Sequence, residues 1–269
     1  MNFLRYIKTQ IRVWQQKRAQ RAMLRRLSGV AEEIARSQWE QSLSAPTEFY
    51  ERCFQYFHAN LPEFLREHRF YFEAEGRGYG ERAFHVLWFL LIREFKPESF
   101  LEIGVFRGQT VSLVSLIARH FKIHPLLQGV SPFSRTSDTV SHFDAGVDYY
   151  QDTLKNFAHF SLPAPELLDA YSTDKAAVEL IASRDWACIY IDGNHDYEIV
   201  IQDWNLCSAH VLPGGVIVLD DSGLTSKYVP PLFATGGIEG PSRLAKEIDR
   251  TRFREILQVG HNRVFQRIA

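Results

Sequence analysis

From about residue 81 onward, the chain alternates short apolar runs with longer segments that have helical spacing of apolar residues. The apolar runs are "SFLEIGV", "PLLQGVS", "PELLDAYS", "WACIYID" and "GVIVLDDS". The clearest helical segments run from about Glu81 to Phe95 and from about Gln109 to Phe121. Apolar strands that alternate with helices are typical of a parallel sheet covered on both faces. The last segment, "RFREILQVGHNRVFQRI", adds two strands joined by a short turn, which only antiparallel neighbours allow. The pattern predicts a doubly wound α/β sheet, mostly parallel, with one antiparallel edge strand.

The first part of the chain has a different, helical and aromatic-rich pattern. Residues 1–30 contain eight basic residues and no acidic one. Apolar residues recur there at helical spacing, at Leu4, Ile7, Ile11 and Trp14. This pattern predicts a basic amphipathic helix. The glycine-rich stretch "EAEGRGYGE" then interrupts the helical pattern. We therefore divide the chain into a helical extension, residues 1–75, and an α/β domain, residues 76–269.

The basic helix at residues 1–30 is compatible with several partners. It can pack on its own domain or on a second copy of the chain, which would make the protein a homo-oligomer. A helix of this kind can also lie on an anionic membrane as a peripheral contact. The chain as a whole has 31 Lys and Arg against 32 Asp and Glu, so its net charge does not favour nucleic acid.

The location of the protein is predicted from its cysteines and its apolar runs. The three cysteines have neither metal-like nor redox-like spacing, which is typical of reduced thiols in the cytoplasm. The longest apolar run, "AFHVLWFLLI", is too short to span a bilayer. The N-terminus has no continuous apolar segment followed by a small-residue cleavage site, so we predict no signal peptide. We expect a cytoplasmic protein.

The end of the first predicted strand, "LEIGVFRGQT", contains Glu102, Gly104 and Gly108. Open α/β sheets bind ligands at the carboxyl ends of their strands, where glycines let the backbone approach a ligand. The following helix N-terminus offers free N–H donors. The spacing is not the Gly-x-Gly-x-x-Gly of dinucleotide-binding proteins, which disfavours a nicotinamide oxidoreductase. A turn with glycines but without function remains an alternative.

The order of these elements resembles the class I S-adenosylmethionine-dependent methyltransferases, which have a Rossmann-like sheet. Within that superfamily, "IYIDGNHDYE" resembles the branch with the motif Asp-Gly-x-His-x-Tyr-Glu after the fourth strand. This branch contains small-molecule and sugar O-methyltransferases of the macrocin type and cephalosporin-hydroxylase-like relatives. The resemblance covers residues 79–269. It implies S-adenosylmethionine as cofactor and a hydroxyl on a small molecule or glycan as methyl acceptor.

The resemblance also implies roles for individual residues. Gly104 and Gly108 correspond to positions where the loop approaches the methionine end of the cofactor, and Glu102 to a position near its amino acid moiety. Ser131 stands at the end of the second strand, where the family has an acid that binds the cofactor ribose. Candidates to replace that acid are Asp138 and Asp144, in the loop that follows.

Three carboxylates follow the fourth and fifth predicted strands. Asp192 ends the fourth, and Asp220 and Asp221 end the fifth strand in "LPGGVIVLDDSG". Neighbouring parallel strands would bring them to one edge of the sheet, where carboxylates repel each other unless a cation lies among them. Oxygen ligands without cysteine favour Mg²⁺. We therefore predict a Mg²⁺ site at Asp192, Asp220 and Asp221, with Asp192 also close to the cofactor.

Methyl transfer to a hydroxyl also requires a general base. His195 lies three residues after Asp192, and its unperturbed pKa is near neutrality. Some metal-dependent relatives have an acidic base at the position of Asn194, but an amide cannot take up a proton. His195 is therefore the predicted base, with a loop histidine or a ribose contact as alternatives.

Two long segments, residues 131–156 and 222–241, would overhang the same edge of the sheet and select the acceptor. Lys227, Tyr228 and Arg243 could contact an anionic or sugar acceptor there, or could lie on the surface. Two other functions remain open. One is a methyltransferase without metal, whose acids serve cofactor and acceptor binding. The other is a Rossmann-like binding protein without catalysis, which acts through its basic helix.

Overall fold

The computed structural model describes residues 3–133, 140, 144 and 146–268, with side chains from residue 10 onward. Within these residues, seven strands form one sheet. They are β1 (Ser99–Ile103), β2 (Leu126–Ser131), β3 (Glu166–Asp169), β4 (Trp186–Ile191), β5 (Val211–Leu219), β6 (Phe253–Val259) and β7 (Asn262–Arg267). The order across the sheet is β3-β2-β1-β4-β5-β7-β6.

The direction of the strands confirms the predicted sheet. Strands β1 to β5 run parallel, and β7 runs antiparallel to its two neighbours, β5 and the edge strand β6. The chain order reverses between β1 and β4. Strands β2 and β3 lie on one side of β1, whereas β4 and β5 lie on its other side. This reversal is the point at which open α/β sheets leave a crevice for ligands.

Helices cover both faces of the sheet. They are α1 (Phe3–Arg26), α2 (Gln41–Ser44), α3 (Pro46–Ala59), α4 (Glu63–Ala74), α5 (Arg82–Phe95), α6 (Gln109–His120), α7 (Tyr149–His159), α8 (Lys175–Ala182), α9 (Tyr197–Ala209) and α10 (Glu239–Glu247). Successive residues of a strand point to opposite faces, so Phe100 and Leu101 belong to different apolar clusters. Helix α7 occupies the end of segment 131–156, and α10 begins at the end of segment 222–241.

The N-terminal helices share a core with the sheet. Phe49 and Phe57 of α3 belong to the same buried cluster as Trp88 of α5 and Phe100 of β1. Helix α1 is bound less closely, and Trp14 is 59% exposed. No helix in the described part of the chain has both the length and the apolar character required to cross a membrane.

Candidate functional site

A cavity of about 670 Å³ lies at the carboxyl ends of β1, β2, β4 and β5. Its walls come from four strand ends, residues 102–106, 130–132, 192–195 and 220–221. The predicted site residues among them are Glu102, Gly104, Ser131, Asp192, His195, Asp220 and Asp221. The fold thus brings together residues that are separated by more than a hundred positions in the sequence.

Gly104 allows the ends of β1 and β4 to touch. Its φ is +93°, and a Cβ added to it would lie 1.9 Å from the backbone oxygen of Asp192. The amide of Asp192 donates to the carbonyl of Ile103 over 2.8 Å. This close backbone contact places Glu102 and Asp192 at the same mouth of the cavity. This contact requires a glycine at position 104. The sequence predicts a glycine there for another reason, the approach of the loop to a cofactor.

Gly108 serves another contact. It is the N-cap of α6 with φ +79°, and an added Cβ would lie 2.6 Å from Thr153 Cγ2 of α7. Gly108 is not among the described residues that line the cavity. Its missing side chain makes room for α7, and its predicted approach to the cofactor stays a prediction.

Glu102 is a buried carboxyl group with an unsatisfied oxygen. Its side chain is 1% exposed, and burial raises its pKa well above the usual range, although hydrogen bonds from Thr110 and the amide of Val111 act in the opposite direction. Within the part of the chain that the structure describes, neither Glu102 Oε2 nor Gln109 Nε2 has a hydrogen-bond partner. An acceptor and a donor of this kind, both on the cavity wall, fit the amino acid moiety of S-adenosylmethionine.

Ser131 lies where the ribose-binding acid was expected. It ends β2, is 4% exposed and lines the cavity beside Ser172 and Thr173. The described lining at this end thus presents hydroxyl groups and no carboxylate. Asp144 is exposed, and its Oδ1 accepts a hydrogen bond from the amide of Gly146. Asp138 lies outside the described residues.

Asp192 and Asp220 form a coupled pair. Burial raises the pKa of Asp192, and the charge of Asp220 and a hydrogen bond with it raise that pKa further. Burial would also raise the pKa of Asp220, but the positive charge of His261 and the hydrogen bonds with His261 and Asp192 together outweigh it and lower the pKa to about 2. The two carboxyl groups therefore share a proton in the absence of another cation.

Sequence reasoning assigned no role to His261, which lies in the turn between β6 and β7. Its Nε2 lies 3.3 Å from Asp220 Oδ1 and 3.9 Å from Asp221 Oδ1. Burial alone would lower the pKa of His261, but Asp220, Asp221 and Glu81 raise it to about 10. Asp220, Asp221 and His261 also form a group, among the described residues, whose ligand atoms all lie within 4.8 Å of one another. The antiparallel pairing of β7 with β5 is what places this turn beside the two aspartates.

His195 makes a second close contact with the aspartates of the site. His195 Nε2 lies 3.3 Å from Asp221 Oδ2, and both side chains are largely buried. Asp221 has φ +47°, a left-handed conformation that is uncommon for a residue with a Cβ and is often found at functional sites. The amide group of Asn194 is used locally, since its Oδ1 accepts from the amide of Asp196 over 2.7 Å.

The segment after β5 is held by the N-terminal helices. The amide of Val229 donates to Thr47 Oγ1 over 2.9 Å, and the ring of Tyr228 packs 5.4 Å from that of Tyr50. Lys227, Tyr228 and Arg243 are not among the described cavity residues. Arg243 instead lies on α10, with its guanidinium 3.6 Å from the ring centre of Tyr197. Thr235 and Ile238 are the residues of this segment that reach the cavity.

The glycine-rich stretch "EAEGRGYGE", where the sequence predicts the domain boundary, contributes to the cavity. Gly78, Tyr79 and Gly80 line the cavity. An added Cβ at Gly78 would lie 1.9 Å from Gln109 Oε1, and the amide of Gly80 donates to the same oxygen over 3.1 Å. The repeated glycines in "GRGYG" were the available signal for this close contact with α6.

Comparisons with known proteins agree with this architecture. Residues 101–222 match the model of a family described as a methyltransferase domain. An uncharacterized protein of Acanthamoeba polyphaga mimivirus is 30% identical over 149 residues, which are 52% of this chain and 61% of that protein. The chain thus spans less than two thirds of this relative's length.

Solved structures show the same fold at low identity. The SAH-bound methyltransferase PaMTH1 of Podospora anserina has a TM-score of 0.57 and 15% identity, over 82% of this chain and 96% of that one. An O-methyltransferase of Bacillus cereus in complex with SAH has a TM-score of 0.53 and 13% identity, over 87% and 100%. The chain therefore has the fold of these two methyltransferase structures, and its residues 101–222 are similar to a methyltransferase-domain family.

Proposed function

We propose that the protein transfers the methyl group of S-adenosylmethionine to a hydroxyl of a small molecule or glycan. The observation that carries this proposal is the cavity at the switch point of the sheet, whose lining contains the buried Glu102 and the carboxylates of Asp192, Asp220 and Asp221. Both structures compared above were solved with SAH, the demethylated form of that cofactor. When bound, S-adenosylmethionine supplies an electrophilic methyl group.

The residues that line the cavity would have separate roles in this reaction. Glu102 and the Gly104 turn hold the amino acid end of the cofactor. His195 takes the proton of the acceptor hydroxyl as the oxygen–methyl bond forms, and Asp221 orients its ring and stabilises the resulting imidazolium. Asp192, Asp220 and Asp221 would hold Mg²⁺, which fits their crowding and would lower the pKa of the acceptor hydroxyl. The products are a methyl ether, the demethylated cofactor and one proton.

A metal-independent reaction is the second candidate, and His261 is the observation that favours it. A protonated imidazole 3.3 Å from Asp220 already places one positive charge against the carboxylates. The two candidates differ in their response to EDTA, because only the metal-independent reaction keeps its rate in the chelator.

The test is calorimetric titration of S-adenosylmethionine and of SAH, each with and without Mg²⁺. We expect both to bind at micromolar or tighter dissociation constants. Binding of neither would contradict the proposal and would favour a Rossmann-like binding protein that acts through its basic helix. Binding of both would justify a screen of hydroxylated acceptors with radiolabelled methyl donor.

A further inference from the structure

The two carboxylates after β5 and the histidine of the β6–β7 turn have the arrangement of a metal-ligand set. We propose that Asp220, Asp221 and His261 bind a divalent first-row transition metal such as Mn²⁺ in preference to Mg²⁺. This inference rests on the proposed function and deepens it, because it names a nitrogen ligand and the preferred metal of the same site.

The distances from His261 to the two aspartates fit one coordination shell. Metal–ligand bonds of about 2.1 Å in an octahedron separate adjacent ligand atoms by about 3.0 Å and opposite ones by about 4.2 Å. His261 Nε2 lies 3.3 Å from Asp220 Oδ1 and 3.9 Å from Asp221 Oδ1. The other oxygen of Asp221 lies 3.3 Å from His195 Nε2 and would remain available to orient that ring.

Unsatisfied oxygens near the group point to a missing positive charge. In the described part of the chain, Glu102 Oε2 has no hydrogen-bond partner, and Asp220 Oδ1 has no well-directed hydrogen bond although His261 Nε2 lies 3.3 Å from it. Glu102 is 1% exposed, and its charge interacts with those of Asp192 and Asp220. A buried carboxylate oxygen without a donor is costly, and a cation between the carboxylates would remove this cost.

The far side of His261 has the partners that metal-bound histidines usually have. His261 Nδ1 lies 3.3 Å from the carbonyl oxygen of Thr235, with Glu81 Oε1 at 3.9 Å. Glu81 is itself fixed by the hydroxyl of Tyr50, which donates to its Oε2 over 2.6 Å. When a metal replaces the proton on Nε2, an Nδ1–H that donates to Thr235 keeps the neutral tautomer whose Nε2 faces Asp220 and Asp221, which is the tautomer that a metal requires.

The backbone around the turn keeps His261 in this position. The amide of Ser222, the residue after Asp221, donates to the carbonyl of His261 over 2.9 Å. An added Cβ at Gly223 would lie 2.8 Å from His261 Cα, so the two segments approach as closely as a glycine allows. The ligand set is therefore preorganised by backbone contacts.

The nitrogen ligand decides which metal is preferred. Mg²⁺ favours shells made entirely of oxygen, whereas imidazole suits first-row transition metals. We expect the full-length, EDTA-treated protein to bind Mn²⁺ at least tenfold more tightly than Mg²⁺ in calorimetric titrations. We also expect pulsed electron paramagnetic resonance of the Mn²⁺ complex to show coupling to an imidazole nitrogen.

Two variants identify the nitrogen. His261→Asn should lose the nitrogen coupling and bind Mn²⁺ at least tenfold more weakly, while His195→Asn, which alters the other histidine beside Asp221, should keep the coupling. A third variant, Glu81→Gln, should weaken Mn²⁺ binding severalfold and keep the coupling, because it removes the negative charge behind the ring and leaves the imidazole in place. If circular dichroism shows that His261→Asn does not fold, the wild type and His195→Asn still test which histidine binds the metal. A coupling that survives His195→Asn cannot come from His195.

Three outcomes would overturn the inference. They are no Mn²⁺ binding, Mn²⁺ binding without nitrogen coupling, and a coupling that His195→Asn abolishes. A titration of SAH into the metal-free protein separates this failure from that of the proposed function. SAH binding without nitrogen coupling would leave the methyltransferase proposal standing, while nitrogen coupling without SAH binding would leave only the metal site.

Discussion

Glu102 combines nearly complete burial with an oxygen that has no partner in the described part of the chain. Such a group gains most from a ligand that brings a positively charged donor, and the ammonium group of S-adenosylmethionine is one. We expect Glu102→Gln to weaken SAH binding at least tenfold, because the amide keeps the shape and loses the charge. Calorimetry measures this change, with circular dichroism to check folding. An unchanged dissociation constant would show that Glu102 does not face the cofactor.

Asp203 of α9 is a second buried acid, but it lies outside the cavity lining. Burial raises its pKa to about 6, although a hydrogen bond from Ser172 acts in the opposite direction. The unfolded chain has a lower Asp pKa of about 3.9, so the folded state binds more protons between about pH 4 and pH 6. The free energy of unfolding should therefore fall as the pH rises through this window.

Asp203→Asn removes the free-energy cost of burying a charged carboxylate. Relative to wild type, we expect the variant to gain about 1–3 kcal/mol at pH 8 and little at pH 4.5, as measured by urea unfolding. Asp185→Asn is the matched control, since the side chain of Asp185 is 50% exposed. Parallel pH profiles for wild type and Asp203→Asn would show that Asp203 does not titrate in this range.

At the scale of the elements, the contact between the ends of β1 and β4 depends on one glycine. In Gly104→Ala the added Cβ would meet the backbone oxygen of Asp192 at 1.9 Å, so the strand ends must separate. We expect a loss of about 3–5 kcal/mol in the free energy of unfolding together with a loss of SAH binding.

Gly214→Ala is the control for backbone strain. Gly214 has φ +78°, but an added Cβ would meet nothing within 4 Å. This variant should lose only about 1 kcal/mol and keep its affinity for SAH. Equal losses in the two variants would mean that the left-handed backbone, and not the contact with β4, makes Gly104 necessary.

The strands were predictable because each is a short apolar run that ends in polar residues. In β1 every residue is buried, and the acidic residue Glu102 lies near the end of the strand, as the sequence predicts. Helix α7 was missed, although Asp148 caps it and Tyr149, Thr153 and Phe157 recur on its buried face. The long polar stretch before this helix made the whole segment look like a loop.

The structure brings the predicted residues to one cavity where they follow strands, and cavity residues from other segments were not predicted. Asp192 and Asp220 could be placed together because parallel neighbours end at the same edge. His261 could not, because its proximity depends on the pairing of β7 with β5 about forty residues away from Asp220. No local pattern around His261 carries that information. Ser131 shows the opposite case, in which the motif expects an acid and the cavity presents hydroxyl groups.

At the scale of the whole molecule, the N-terminal helices are connected to the cavity through Glu81. Tyr50 of α3 donates to Glu81, and Glu81 lies 3.9 Å from His261. The amide of Thr235 also donates to Glu81, at 3.3 Å. The helices therefore complete the site and do not merely precede it. Helix α1 is the exception, since its described first part has exposed apolar side chains, among them Ile11 and Trp14.

We propose that this exposed part of α1 contacts a second copy of the chain. Deletion of residues 1–18 removes Ile11 and Trp14 but leaves Arg26, which forms a 2.5 Å salt bridge with Glu51. We expect the truncated protein to have a smaller mass in light scattering and to bind SAH within about twofold of the full chain, because none of the deleted side chains that the structure describes, from residue 10 to residue 18, lines the cavity.

The full-length double variant Ile11→Asp, Trp14→Asp is the matched control, and it should show the same change in mass. Two charges on the apolar stripe would disrupt a helix contact without shortening the chain. An unchanged mass in both variants would contradict a second copy as partner. Sedimentation with anionic vesicles then separates the remaining alternatives, since binding that only the full chain shows would assign α1 to a membrane surface. Loss of SAH binding in the truncated protein would instead mean that α1 is part of the folded core.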